Sequence, residues 1–78
     1  MKGRLIRMQE RASRLGGKFY HAFFKCEDGL SYRTCLYPSF GNFQRWKGFI
    51  GREGVELDGL VAKRKGLIDA DSFVKEIK

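Results

Sequence analysis

The chain has 78 residues, of which 42% are hydrophobic and 14% aromatic, enough apolar surface for one small core but not for a second domain. No apolar run reaches the roughly 18 residues of a membrane-spanning helix, and the basic start, MKGRLIRMQ, is not followed by an apolar stretch of signal-peptide length. We therefore expect a single soluble domain over residues 1–78, located in the cytoplasm.

The positive charge is concentrated in the first third of the chain. Lys and Arg number 16 against 9 Asp and Glu, which gives a formal charge of +7. Residues 1–25 contain seven of the basic residues and one acidic residue, whereas residues 51–78 contain six of each sign. This asymmetry favours a surface that binds a polyanion, because each phosphate neutralised by Lys or Arg releases a condensed counterion.

The pattern of residues 4–14 predicts a half-exposed strand, although its tail, which is rich in Arg and Glu, would also suit a helix. Ile6 and Met8 alternate with Leu5 and Arg7, which is the period of two expected when one face of a strand is covered and the other is wet. A pair of glycines then breaks the chain.

Residues 18–26 and 31–37 predict an aromatic β-hairpin. Both segments are rich in β-forming side chains, and the dipeptide Asp28-Gly29 between them is typical of a two-residue hairpin turn. Pro38 ends the second strand, because proline cannot donate a hydrogen bond to a neighbouring strand.

The period then changes to that of a helix. Phe43, Trp46 and Ile50 recur at helical spacing, Asn42 is placed as an N-cap, and a glycine ends the pattern. These features predict a short helix over residues 43–50, whose apolar stripe forms a lid on the core.

The last third of the chain predicts two more strands. Residues 55–64 alternate as a strand with a bulge or bend at Gly59, residues 67–69 form the next strand, and Asp71 caps a final turn over residues 72–77. The order of three strands, a short helix and two strands predicts a mainly β fold. In a chain this short, it fits a five-stranded Greek-key barrel with the helix between strands 3 and 4.

The cysteines and the single histidine predict no metal site. Cys26 and Cys35 lack C-x-x-C spacing, and with His21 they supply three of the four ligands of a structural zinc ion. The predicted hairpin separates the two thiols by about 13 Å, too far for a disulfide, so we expect two reduced core cysteines. No phosphate-binding glycine loop, zinc-protease motif or nucleophile elbow is present, and we expect a non-catalytic protein without a cofactor.

Three segments together carry a resemblance to a known family. They are, in chain order, KFYHAFFKCEDGLSYRTCLY, NFQRWKGFI and VELDGLVAKRKGLIDADS. In pattern and order, over most of the chain, they resemble the small OB-fold single-stranded DNA-binding proteins of phages and plasmids. The resemblance implies an OB-like barrel, a role in DNA replication and largely sequence-independent binding of single-stranded DNA. The sequence departs from the bacterial-type members in showing no flexible acidic tail, so the resemblance does not imply recruitment of replication partners through such a tail.

A two-residue turn assigns the hairpin residues to two faces. In that register Cys26 faces Ser31 and Ala22 faces Cys35. Because alanine and cysteine favour burial, their face is predicted to point inwards and the other face to form the binding groove. Rings on that groove would stack on bases, and nearby cations would contact phosphates. The predicted stacking residues are Phe19, Phe23 and Tyr32, and the predicted phosphate contacts are Arg7, Arg11, Arg14, Lys18 and Lys25.

Arg33 tests this choice of face. The predicted register points it inwards, although its charge suits a nucleic-acid contact; if Arg33 lies at the surface, Tyr20, Phe24 and Tyr37 become the stacking candidates. The run at residues 63–65, Lys-Arg-Lys, is interpreted as a solvated hairpin tip that could also hook the nucleic-acid backbone.

Other functions and assemblies remain open at the level of sequence. The same basic face would suit a protein-interaction module, such as a small inhibitor or an SH3-like adaptor with an acidic partner, or a binder of structured or duplex RNA. An open barrel edge would allow a homodimer. A preference for DNA over RNA depends on contacts to the 2′-hydroxyl group, which the sequence does not display.

Overall fold

The computed structural model describes residues 1–39 and 41–77, which form seven strands and one helix. The strands make one curled, half-barrel sheet in the order β5-β6-β3-β2-β1-β4-β7. The protein is therefore mainly β with a short helix after the third strand, as predicted, but it has seven strands instead of five. The elements are β1 (Gly3–Ala12), β2 (Lys18–Cys26), β3 (Ser31–Leu36), α1 (Phe43–Lys47), β4 (Glu56–Asp58), β5 (Ala62–Arg64), β6 (Leu67–Ile68) and β7 (Lys75–Glu76).

The turn between β2 and β3 has three residues instead of two. The amide of Gly29 donates to the carbonyl of Cys26, and the amide of Cys26 donates to the carbonyl of Leu30, both at 3.0 Å. Gly29 has φ +83°, the left-handed conformation that this position requires and that glycine adopts without steric cost. Lys25 consequently lies opposite Ser31.

The longer turn reverses the predicted faces of β3. Tyr32 lies opposite Phe24 and is buried with Thr34 and Leu36 on the inner face, whereas Arg33 is exposed on the outer face. The prediction that Arg33 points inwards is therefore wrong. The predicted faces of β2 are retained, because the change of one residue falls in the turn that follows it.

A β-bulge changes the alternation of β1. The pairing of β1 with β2 shifts by one residue between Leu5 and Arg7, so Ile6 is the extra residue and is 47% exposed. Leu5 is buried and Met8 packs against the core. The prediction that Ile6 and Met8 share a face is wrong, because a strict period of two does not anticipate a bulge.

Helix α1 covers the inner face of the sheet. Trp46 is 1% exposed, and its ring centroid lies 5.9 Å from that of Phe24. Phe43 is buried, with its ring centroid 5.9 Å from that of Tyr20, and the indole nitrogen of Trp46 donates to the carbonyl of Ala70 at 2.8 Å. These contacts confirm that the helix is a lid on the core.

The helix is shorter than predicted. It ends at Lys47, after which the amides of Phe49 and Ile50 donate to carbonyls three residues earlier and form tight turns. Asn42 occupies the N-cap position, but its side chain donates to the carbonyl of Ala70 and makes no cap hydrogen bond. Among residues 1–39 and 41–77, no helix has the length and apolar character needed to cross a membrane.

Gly59 divides the predicted strand 55–64 into β4 and β5. It has φ +90°, and a Cβ there would collide with the carbonyl of Phe73, so only glycine fits this bend. β4 pairs with β1, β5 pairs with β6, and β6 pairs with β3 in parallel. The predicted final turn over residues 72–77 instead contains β7, which pairs with β4.

Candidate nucleic-acid interface

Three neighbouring strands bring aromatic and basic side chains together on the outer face of the sheet, opposite α1. The cross-strand pairs place these side chains in three rows, one for each strand. We call this surface the aromatic face. It consists of Arg7, Gln9 and Arg11 from β1, Phe19, His21 and Phe23 from β2, and Arg33, Cys35 and Tyr37 from β3 and the residue that follows it.

Four rings of the aromatic face form a continuous chain. The rings of Phe19 and Tyr37 stack with centroids 5.1 Å apart and an interplanar angle of 17°. His21 meets Phe19 at 5.2 Å and Phe23 at 6.1 Å, in both cases edge to face. Phe19, His21 and Phe23 are half-buried and Tyr37 is exposed, so the ring chain retains surface that is open to solvent.

Arginines flank the ring chain on both sides. The guanidinium of Arg7 lies 4.7 Å from the ring centroid of Phe23, within cation–π range. Arg11 lies opposite Phe19, and Arg33 lies opposite Phe23 from the other strand. Within the described part of the chain, none of these three arginines forms a salt bridge. Their charges are therefore available to an external anion.

His21 lies at the centre of the aromatic face. Its partial burial and, after that, the positive charges of Arg11 and Arg33 hold the pKa of the imidazole below its usual value of 6.5. The imidazole is therefore neutral at neutral pH in the free protein. A neutral ring in this position adds stacking surface without adding to the repulsion among the arginines.

A groove of about 800 Å³ opens beside β3 and continues the aromatic face. Arg33, Cys35 and Tyr37 form part of both surfaces. We call this the side groove. Its other lining residues include the cations Lys63 and Arg64, the polar side chains of Ser39 and Asn42, and the carboxylates Asp69 and Asp71.

Five of the nine predicted binding residues lie on the aromatic face; they are Arg7, Arg11, Phe19, Phe23 and Arg33. Lys25 is on the same side of the sheet, opposite Arg4 and Ser31. Arg14 is exposed in the loop between β1 and β2. Lys18 forms a salt bridge with Glu10 at 3.3 Å, so part of its charge is already compensated.

Tyr32 is not available to stack on a base. It is 8% exposed on the inner face, and its hydroxyl donates to Oδ2 of Asp28 at 2.6 Å. Tyr37 takes the surface position that the predicted register gave to Tyr32. The sequence indicated Tyr37 only as part of the alternative in which both strands of the hairpin turn their other face outwards. That alternative also exposes Tyr20 and Phe24, which lie on the inner face, whereas the structure reverses the faces of β3 alone.

The two cysteines lie on opposite faces of the sheet as free thiols. Cys26 is buried, as predicted, but Cys35 is half-buried on the aromatic face opposite His21, which corrects its predicted place in the core. Within residues 1–39 and 41–77, no three His, Cys, Asp or Glu side chains are grouped closely enough to hold a metal ion.

The side groove was not anticipated from the sequence. The basic run at residues 63–65 was visible, but its position next to Arg33 depends on the parallel pairing of β3 with β6, which has no short-range signal. No protein-family model, curated protein or solved structure matches this chain. The function is therefore inferred from the geometry of the aromatic face and the side groove.

Proposed function

We propose that this protein binds single-stranded DNA, without catalysis and with little dependence on sequence, by stacking bases on the aromatic face. The observation that carries the proposal is the unbroken chain of four rings, flanked by Arg7 and Arg11 on β1 and by Arg33 on β3. These three arginines form no salt bridge with a described residue. Grooves that combine cations along the backbone with rings for the bases are typical of non-specific single-strand binders.

The spacing of the rings suits an extended strand of nucleic acid. Phe19, His21 and Phe23 are alternate residues of β2, so their Cα atoms are separated by about 6.6 Å from one to the next. Each base stacked on an aromatic side chain contributes about 1–3 kcal/mol, independently of which base it is. Stacking therefore supplies affinity with little dependence on sequence.

The charge of the face supplies the rest of the affinity. Arg7, Arg11 and Arg33 flank the rings, and Lys63 and Arg64 extend the cationic surface along the side groove. Each phosphate contact with a single strand contributes roughly −0.7 to the slope of log K against log salt. Five such contacts would give a slope of about −3.5, so binding should weaken steeply as salt rises.

The fold supports the same proposal at a finer level. β4 and β5 are separated by three residues and can be counted as one strand bent at Gly59, whose first half pairs with β1 and whose second half pairs with β6. Counted in this way, the curled sheet would have the five principal strands that the proposed OB-like barrel requires, with β7 as an addition at the edge. In OB-folds the surface of strands 2 and 3 binds oligonucleotides, and the aromatic face is centred on those strands.

The test is a titration of the protein with oligo-dT of about 12 nucleotides at two salt concentrations. Phe19→Ala and Phe23→Ala should each raise Kd roughly tenfold, because each removes one stacking surface. Phe73→Ala is the matched control, since Phe73 is 78% exposed and lies outside the aromatic face; it should leave Kd unchanged. Circular dichroism checks that each variant is folded.

Other outcomes would identify other functions. Tighter binding to folded or duplex RNA than to oligo-dT would favour an RNA binder whose rings serve mainly to support the fold. No binding to any nucleic acid at low salt would contradict the proposal and favour a protein-interaction module. Binding that is unchanged in both Phe variants would reject the stacking mechanism.

A further inference from the structure

The side groove opens because β3 and β6 separate. Along the described chain the two strands pair at one position, Arg33 opposite Leu67. Beyond it, β3 runs towards Tyr37 while the chain after β6 runs towards Asp71, and both segments line the groove. A nucleic-acid strand that passes from the rings of β2 over β3 would therefore reach the groove without leaving the protein surface.

The lining of the groove carries separated charges of both signs. Arg33, Lys63 and Arg64 supply positive charge, and Asp69 and Asp71 supply negative charge. None of these five residues forms a salt bridge with another described residue. A ligand that combines an anion with hydrogen-bond donors would satisfy both groups at once, and a nucleotide whose base carries an amino group has this combination.

We propose that the side groove holds one base of the bound strand and that its carboxylates, chiefly Asp71, select bases with amino groups over thymine. This inference rests on the proposed function. An ionised carboxylate only accepts hydrogen bonds, so it pairs with the amino groups of cytosine, adenine or guanine. Thymine offers one donor on this edge, N3–H, and the O2 and O4 acceptors on either side of it repel the carboxylate, so its hydrogen bond is weaker than that of an exocyclic amino group.

The wall that carries the carboxylates is fixed before any ligand binds. The carbonyl of Ala70 accepts hydrogen bonds from the indole of Trp46, at 2.8 Å, and from the side-chain amide of Asn42. The amide of Asp71 donates to Oδ1 of Asp69 at 3.0 Å, and the buried hydroxyl of Ser72 donates to the carbonyl of Asp69 at 2.6 Å. Because α1 and the core hold this turn, little ordering is needed when a base enters.

The size of the groove agrees with such a ligand. Its volume of about 800 Å³ lies within the range of roughly 300–1,000 Å³ found for small-molecule sites. The groove is therefore large enough for one nucleotide with its phosphate near the cations and its base edge near the carboxylates.

The experiment compares oligo-dC, oligo-dT and oligo-dU of about 12 nucleotides at one salt concentration and pH 7.5. The wild-type protein should bind oligo-dC roughly tenfold more tightly than oligo-dT. Oligo-dU, which has the same O2, N3–H and O4 edge as thymine without its methyl group, should bind as weakly as oligo-dT. Asp71→Asn should bring the ratio of the two dissociation constants close to one, and Asp69→Asn should reduce it.

A matched control separates recognition from net charge. Glu53→Gln removes one negative charge at an exposed residue outside the groove, so it should strengthen binding to all three oligonucleotides and leave their ratio unchanged. Equal binding of oligo-dC and oligo-dT, or the same ratio in the Asp71 variant and the Glu53 variant, would overturn the inference while the proposed function stands. Failure of all three to bind would overturn the proposed function and this inference with it.

Discussion

The two faces of β2 carry the same class of side chain in different surroundings. On the inner face, Tyr20 and Phe24 contact rings of the helix α1 that covers them. On the outer face, Phe19, His21 and Phe23 contact one another and the flanking arginines, and all three remain half-exposed. Successive residues of one strand thus belong to two environments that share the same backbone.

The difference lies in what covers each face. Phe24 packs against Trp46, and both are 1% exposed, so their contact contributes to the free energy of folding. On the other side, Phe23 has a guanidinium over its ring and an arginine as its β3 neighbour. Aromatic side chains that stay half-exposed beside arginines without a salt bridge among the described residues contribute less to stability than buried ones do. They suit a ligand that brings rings and negative charge.

Truncating one ring from each face should give opposite results, and this is the largest effect that we expect. Phe24→Ala should lower the free energy of unfolding by about 3–5 kcal/mol, because it leaves a cavity in the core. Phe23→Ala should lower it by about 1 kcal/mol or less, since the ring is only half-buried. Urea denaturation monitored by circular dichroism measures both.

The distinction between the two faces would be wrong if both substitutions lowered the free energy of unfolding by the same amount. It would also fail if Phe24→Ala, measured under conditions where the variant is still folded, weakened binding to oligo-dT as much as Phe23→Ala does. Unchanged m-values would show that both variants unfold from equally compact native states.

The faces of β2 could be predicted from the sequence, whereas those of β3 could not. Ala22 and Cys26 mark the inner face of β2, because small apolar residues favour burial. The phase of β3 depends on the turn, and the dipeptide Asp28-Gly29 fits two turn lengths. Glycine supplies the left-handed residue of a two-residue turn and equally that of a three-residue turn with a bulge. One residue of turn length moved Tyr32 inwards and Arg33 outwards.

Features that depend on distant contacts were the least predictable. The helical lid followed from local periodicity, and the bend at Gly59 followed from a glycine within an alternating strand. The bulge at Ile6 has no local signal, because it is set by the pairing of β1 with β2. The side groove depends on the pairing of β3 with β6, and the connection between these strands contains α1, β4 and β5. The sequence therefore indicated most of the residue types of the site, but not the faces of β3 or the position of the groove.

The hydrogen bond between Tyr32 and Asp28 assigns Tyr32 to the fold, on the inner face of the sheet. It lowers the pKa of Asp28 below its usual value of 3.8 and raises the pKa of Tyr32 above its usual value of 10.0. Its contribution to stability is therefore fully present between these two values. The contribution is lost as the pH falls through the lowered pKa of Asp28 or rises through the raised pKa of Tyr32.

Tyr32→Phe should accordingly lower the thermal midpoint at pH 7, by less than Phe24→Ala does, and leave binding to oligo-dT unchanged. The difference in stability between wild type and variant should shrink towards acid pH, where Asp28 is protonated. A large loss of affinity in this variant with its fold intact would mean that Tyr32 contacts the ligand, and the assignment of β3 to its two faces would be wrong.

The smallest effect concerns His21, because protonation of its imidazole should lower the stability of the fold and raise the affinity for nucleic acid. Because the native pKa lies below 6.5, the unfolded chain binds more protons, and stability should fall slightly as the pH drops below that value.

Phosphates on the aromatic face would offset the field of Arg11 and Arg33 and favour the imidazolium. Acidification from pH 7 to pH 5.5 should therefore tighten binding to oligo-dT while it weakens the fold. His21 is the only histidine in the chain, so His21→Gln should remove most of both changes. If both persist undiminished in that variant, the proton is taken up elsewhere, and bound phosphates do not act through the pKa of His21.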